Sequence, residues 1–135
     1  MKNLRVYIDK DVHDIYDKLV KRGTENPDHY PFQTMKDLFM LAACLGAKHN
    51  AFEPVNASRD IFNSDVFDEK TDIPVMSSLA FKKEQSLSIL SDERKILDII
   101  QGYANGGISY VVEEIINNPG KPLSNLISLI TSPES

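Results

Sequence analysis

The sequence has little cysteine and no long apolar run. Its 135 residues include a single cysteine, Cys44, so the chain cannot form an internal disulfide or a cysteine-based zinc or iron–sulfur site. The longest unbroken apolar run spans residues 38–45, far short of the roughly 20 residues that a membrane-spanning helix needs. The first residues become charged before any apolar stretch that a signal peptide requires. These features predict a cytoplasmic protein without membrane contact.

Positive charge is scarce in the second part of the chain. The chain carries 20 acidic and 15 basic side chains, for a formal net charge of −5. Residues 1–50 have eight Lys or Arg against seven Asp or Glu, whereas residues 51–135 have seven against thirteen. A surface that meets a polyanion is therefore expected within the first 50 residues.

Enzyme signatures are absent as well. The sequence has no dinucleotide-binding or Walker-type glycine loop, no Gly-x-Ser-x-Gly elbow and no His-Glu-x-x-His pair. Gly106-Gly107 follows no predicted strand and precedes no Lys-Ser/Thr, which favours a helix end over a phosphate site. Cys44 is expected to be a buried, inert thiol, and His13 is expected on the outer face of the first helix. The sequence predicts a non-enzymatic protein without cofactor or metal.

The first 50 residues predict a strand followed by two helices. Residues 3–8 alternate, with Leu4, Val6 and Ile8 on the face to be buried. Apolar residues then recur at helical spacing up to residue 20, and a second helix begins at Thr34, where Thr-x-x-Asp is typical of an N-terminal cap. Small residues at 42–46 would let another helix approach this one closely.

The rest of the chain predicts an acidic loop and a helical C-terminal part. Residues 48–72 are the least regular and are expected to pack as a loop with short helical turns. Helices are predicted from Pro74, from Ser91, over residues 108–118 and from Leu123, with a helix stop at residues 103–107. The prediction is one compact, mainly α domain over residues 1–135 with a short N-terminal strand.

The isolated strand allows two interpretations. If it pairs with the same strand of a second copy, residues 3–47 form a ribbon-helix-helix-like homodimer whose ribbon enters the DNA major groove. The long connection between the helices and the acidic first helix argue against this plan, and the strand could instead join a small internal sheet. In the dimer, the candidate DNA contacts are Asn3, Arg5 and Tyr7 at base edges and Lys2, Thr34 and Lys36 at phosphates.

Two other functions are open. In the first, the protein is an adaptor whose acidic segment binds a partner protein, and the candidate contacts are Asp60, Asp65, Asp68 and Glu69. In the second and weakest, Asp28 with Asp68 and Lys70 mimics a Pro-Asp…Asp-x-Lys nuclease pattern. In that pattern two carboxylates hold Mg²⁺ while the lysine supports the attacking water.

Several segments resemble one known family. They are residues 34–46, Ile61-Phe62, Val66-Phe67, Asp72-Ile73-Pro74, the run from Tyr103 to Ile108, and Gly120-Lys121-Pro122-Leu123. In this order they resemble the DNA phosphorothioation-associated protein 4 family, small proteins found beside the Dnd genes that place sulfur in the bacterial DNA backbone. The resemblance implies an accessory role in modification or restriction, as defence against foreign DNA. It brings no catalytic residues with it.

Overall fold

A two-stranded antiparallel sheet contains the N-terminal strand. The computed structural model describes residues 1–21, 23 and 26–132. In it, β1 (Arg5–Asp9) pairs with β2 (Ser58–Asn63), with an irregularity between Val6 and Tyr7. Val6 and Ile8 are buried and Arg5 is exposed, so the alternation predicted from the sequence is confirmed.

The partner of β1 decides between the two interpretations of this strand. Because β2 of the same chain lies beside β1, an internal sheet takes the place of the ribbon between two copies that the ribbon-helix-helix plan requires. At this irregularity the Tyr7 backbone N–H donates to Gln101 Oε1 in α4 at 2.9 Å. The order of strand, helix and helix within residues 3–47 is retained, but the strand is already satisfied inside the chain.

Helices make up most of the described residues, which confirms the mainly α class with a short strand. They are α1 (His13–Leu19), α2 (Met35–Lys48), α3 (Asp72–Glu84), α4 (Glu93–Val111) and α5 (Pro122–Thr131). Short 3₁₀ turns lie at Lys10–Val12, Ser64–Val66 and Leu87–Ser91, and a π-helical turn, Val112–Ile116, extends α4. The Asp37 backbone N–H donates to Thr34 Oγ1 at 3.2 Å, which confirms the predicted start of α2.

Close packing of α2 on α4 forms the centre of the fold. A Cβ atom placed on Gly107 would lie 1.8 Å from the Ala42 carbonyl oxygen, and one on Gly46 would lie 2.0 Å from the Tyr103 carbonyl oxygen. Both distances are too short for any side chain, so glycine is required where the two backbones cross. The predicted role of the small residues in α2 is thereby confirmed.

The predicted helix stop at residues 103–107 was wrong. These residues are buried inside α4, which runs directly into the segment predicted as a separate helix. Asn-Gly-Gly favours turns locally, but tertiary packing outweighs this preference. Gly106 faces the segment that leaves α2, because a Cβ there would lie 2.0 Å from the Ala51 carbonyl oxygen.

Two further side chains differ from expectation. His13 is only 8% exposed and its Nδ1 lies 3.2 Å from Asp17 Oδ2, so it is not on the outer face of α1. Cys44 is exposed, although desolvation by its neighbours raises the pKa of its thiol.

The buried apolar side chains form one hydrophobic cluster. Within the described ranges, no helix has both the length and the apolar character needed to cross a membrane.

Candidate functional site

The residues predicted to bind DNA and those predicted to bind a partner lie on one surface. Arg5 in β1 bonds Asp60 in β2, with Nε 2.8 Å and Nη2 2.7 Å from carboxylate oxygens. The Asn3 backbone N–H donates to Asp65 Oδ1 at 3.0 Å. Two groups of residues about 55 positions apart in sequence therefore meet because β1 pairs with β2.

The Arg5–Asp60 pair neutralises the central cation of the predicted DNA contact. Its two side chains are 45% and 43% exposed. The hydrogen bond with Asp60 raises the pKa of Arg5 above its ordinary value, and the two-pronged geometry is the one in which guanidinium and carboxylate match best. The Arg5 charge is thus directed at a residue of the same protein.

Lys36 is paired in a similar way. Its Nζ lies 2.8 Å from Asp72 Oδ2, and the two side chains are only 23% and 15% exposed. The same oxygen accepts the Asp68 backbone N–H at 2.8 Å. The hydrogen bond to Asp72 raises the pKa of Lys36. This pair joins the first turn of α2 to the first turn of α3.

Asp68 holds the turn that precedes α3. Its Oδ1 accepts the backbone N–H groups of Lys70 at 2.7 Å and Thr71 at 3.0 Å. These two hydrogen bonds lower the pKa of Asp68, since they favour the charged form of the carboxyl. Asp68 is therefore ionised at neutral pH. Its side chain is also exposed to solvent.

An apolar cavity of about 280 Å³ lies beside these carboxylates. It is lined by Thr34, Met35, Lys36, Asp37, Phe62 and Val66. Val66 is 50% exposed, and Phe62 packs edge-on against Phe39 with ring centroids 5.6 Å apart. We call Asp60, Asp65, Asp68 and Glu69, together with Val66, the acidic surface.

The other predicted DNA contacts are placed differently. Lys2 is exposed and has no ion-pair partner within the described residues. Tyr7 is partly buried, and the Thr34 hydroxyl caps α2. The structure therefore leaves Lys2 as the one predicted cation on this surface that is not paired with a described carboxylate.

The residues of the nuclease pattern are attached to different elements. Asp28 Oδ2 lies 3.3 Å from Lys121 Nζ, and the Asp28 carbonyl accepts the Leu123 N–H at 3.0 Å, so Asp28 is fixed at the start of α5. Asp68 is fixed at the start of α3. Among the described residues, the three side chains whose ligand atoms come within 4.8 Å of one another are His13, Asp14 and Asp17, none of which belongs to the pattern.

Asn105 is the polar residue that sequence reasoning missed. Its side chain is buried in α4, where Nδ2 donates to Asp9 Oδ2 at 3.0 Å, to the Glu53 carbonyl at 3.0 Å and to the Pro54 carbonyl at 3.3 Å. It connects the end of β1 to the segment leading to β2. The available signal was the apolar helical spacing that continues past Asn105 to residue 116.

These features define a small, mainly helical protein whose candidate site is a charged surface around an apolar centre. The chain belongs to a family described as DNA sulphur modification system-associated protein 4, whose model matches residues 5–135. The resemblance found in the sequence is thereby confirmed, and the protein is associated with a DNA sulphur modification system. No curated protein and no solved structure matches the chain significantly.

Proposed function

We propose that this protein is a non-enzymatic, cytoplasmic accessory factor that binds another protein of the DNA sulphur modification system through the acidic surface. The observation that supports this most is the pairing of Arg5 with Asp60 and of Lys36 with Asp72. These pairs neutralise Arg5 and Lys36, two of the three cations of the predicted DNA contact. They leave Asp65 and Glu69 exposed beside Val66.

The charge of this surface favours a basic partner. Residues 58–72 contain five carboxylates and two cations, which repel a phosphate backbone but attract a segment rich in Lys or Arg. The half-exposed Val66 and the cavity beside it add an apolar contact at the centre of the charges, the usual arrangement of a protein interface. The expected partner segment carries a hydrophobic side chain flanked by basic residues.

Co-purification from the native host tests this proposal. The tagged protein is captured from lysate with and without DNase, once as wild type and once as the triple variant Asp65→Asn, Asp68→Asn, Glu69→Gln. A matched control changes three exposed acids elsewhere, as Asp11→Asn, Asp98→Asn, Glu114→Gln.

The proposal expects a protein of the same system to be retained after DNase treatment, lost in the triple variant and kept by the control. Asparagine at position 68 retains an acceptor for the Lys70 and Thr71 amides, so the turn before α3 is preserved. Equal retention by both variants would contradict binding through the acidic surface.

DNA contact through Lys2, Asn3, Arg5, Tyr7, Thr34 and Lys36 is the second candidate. It is favoured by the exposure of Lys2 and of the Arg5–Asp60 pair, because a phosphate can replace Asp60 at an exposed site. Electrophoretic mobility at low salt tests it. Binding should weaken steeply with salt and decrease in Arg5→Ala but not in Lys121→Ala, and absence of a complex would eliminate this candidate.

A further inference from the structure

A groove beside the end of β1 is lined by several carboxylates and by no basic residue. About 670 Å³ in volume, it lies between the first helical turns and α4. Three carboxylates line it, those of Asp9, Glu53 and Glu113, and none of its lining residues is basic. Within the described residues, none of the three forms an ion pair. This groove is separate from the acidic surface of the proposed function.

Asn105 gives the groove a fixed polar atom. The residue is only 7% exposed, and its Nδ2 faces three oxygen acceptors, which settles the orientation of the amide. Oδ1 consequently points the other way and has no hydrogen-bond partner among the described residues. Among the described residues, the Tyr16 hydroxyl is the one fully buried side-chain polar atom without a hydrogen-bond partner. Asn105 Oδ1, which also has no partner, is therefore not fully buried and retains some contact with solvent. Asn105 lines the groove, so the groove is where a ligand can reach this free acceptor.

Asp9 strengthens this acceptor character. Its Oδ1 accepts the Asn56 backbone N–H at 2.7 Å and its Oδ2 accepts Asn105 Nδ2 at 3.0 Å. Both bonds come from neutral donors, so no described cation pairs with this carboxylate at its partly buried position. A cation that enters the groove would meet this fixed charge in surroundings less polar than water, where the attraction is stronger.

The apolar part of the groove defines the rest of the ligand. Val12 and Ile15 lie on one side, and Ile108 and Val112 lie on the other. An alkyl chain fits between such side chains, as the methylene stems of Lys and Arg do on apolar surfaces. A volume of about 670 Å³ is ample for one such chain.

We propose that the groove around Asn105 binds a guanidinium or ammonium group on an apolar stem. The cation would lie among Asp9, Glu53 and Glu113 and donate to Asn105 Oδ1. Two sources share this chemistry: an Arg or Lys side chain of a protein partner, and a free alkyl amine.

Amide chemical shifts of the full chain test the site. The probes are Nα-acetyl-arginine-methylamide, its uncharged citrulline analogue and n-butylamine, a free alkyl amine with the same single charge as the blocked arginine. Saturable shifts around residues 105–113 are expected with the two cations and not with the citrulline compound. The double variant Glu53→Gln, Glu113→Gln should weaken binding about tenfold or more, because two charges near the cation are lost.

Glu114→Gln is the matched control, because Glu114 follows Glu113 in the chain but lines a different cavity. It should bind the probes as the wild type does, and so should the triple variant of the acidic surface, which separates this site from the proposed function. Tighter binding of the blocked arginine identifies a protein side chain as ligand, and tighter binding of n-butylamine identifies a free amine. The site is refuted if no cation saturates, if citrulline binds equally, or if Glu114→Gln weakens binding as much as the double variant.

Discussion

Arg5 in β1 and Asp60 in β2 bond side chain to side chain, with Nη2 and Oδ1 2.7 Å apart. One residue was predicted to contact DNA and the other a partner protein, and the internal sheet brings them together. This pairing links the two candidate functions, because whatever binds Asp60 releases Arg5. A basic partner segment that binds Asp60 would therefore free Arg5 to contact a DNA phosphate.

Asp60→Asn is expected to increase DNA binding at low salt by several-fold, because the carboxylate that occupies Arg5 is removed. The measurement is an electrophoretic titration with duplex DNA. Asp98→Asn changes the net charge equally at an exposed position on α4 and should have less effect. Equal gains in both variants would show that only net charge matters.

Asp72→Ala is expected to destabilise the fold by about 1–3 kcal/mol, because Lys36 and the Asp68 amide both lose their shared acceptor. Denaturant unfolding measures this. Asp60→Ala also removes a bonded carboxylate, but from an exposed pair, and should cost clearly less. A loss for Asp60→Ala as large as that for Asp72→Ala would be inconsistent with the difference in burial.

Local patterns predicted the elements whose signals lie within a few residues. The alternation around Val6 and the Thr34 cap depend on neighbours in sequence, and both are confirmed. Strand β2 was missed because Ser58, Arg59 and Asp60 are all exposed, so it has no alternation to recognise. Its place is determined by long-range pairing with β1.

The candidate site was predicted in its residues but not in its arrangement. Charge and spacing selected Arg5 and the acids of residues 60–69, yet nothing local indicates that they bond one another. The run Asn105-Gly106-Gly107 predicts a helix stop, because Asn and Gly are favoured in turns. Only the contacts of α4 with α2 and with the segment after it show why this sequence stays helical.

Gly107→Ala is expected to destabilise the protein severely, by about 3 kcal/mol or more, because the new Cβ would meet backbone atoms of α2 at 1.8 Å. Gly102→Ala is the comparison, since its Cβ would meet the Phe52 ring at 2.2 Å, a side chain that can rotate away. Thermal and denaturant unfolding should rank Gly107→Ala as the worse of the two. The reverse order would be evidence against the α2–α4 crossing.

Tyr16→Phe is expected to make the protein less sensitive to alkaline pH. Tyr16 is fully buried, and desolvation raises its pKa well above the ordinary value of 10.0. Below pH 10 the hydroxyl is protonated in the folded and the unfolded state alike, so through this group the free energy of unfolding does not change with pH. Above that pH the unfolded state loses the phenolic proton first, so the free energy of unfolding should fall by about 1.4 kcal/mol per pH unit until the folded pKa is reached.

Urea unfolding of wild type and variant at pH 7, 10 and 11 isolates this slope, because the other titrating groups are common to both proteins. At pH 7 the variant should be as stable as wild type or more so by up to about 1 kcal/mol, since the Tyr16 hydroxyl is buried and bonded to no described residue. Tyr30→Phe, at a partly exposed ring, is the control and should retain the wild-type slope. A stability loss in Tyr16→Phe at pH 7, with the alkaline slope unchanged, would mean that the hydroxyl is hydrogen-bonded in the folded protein.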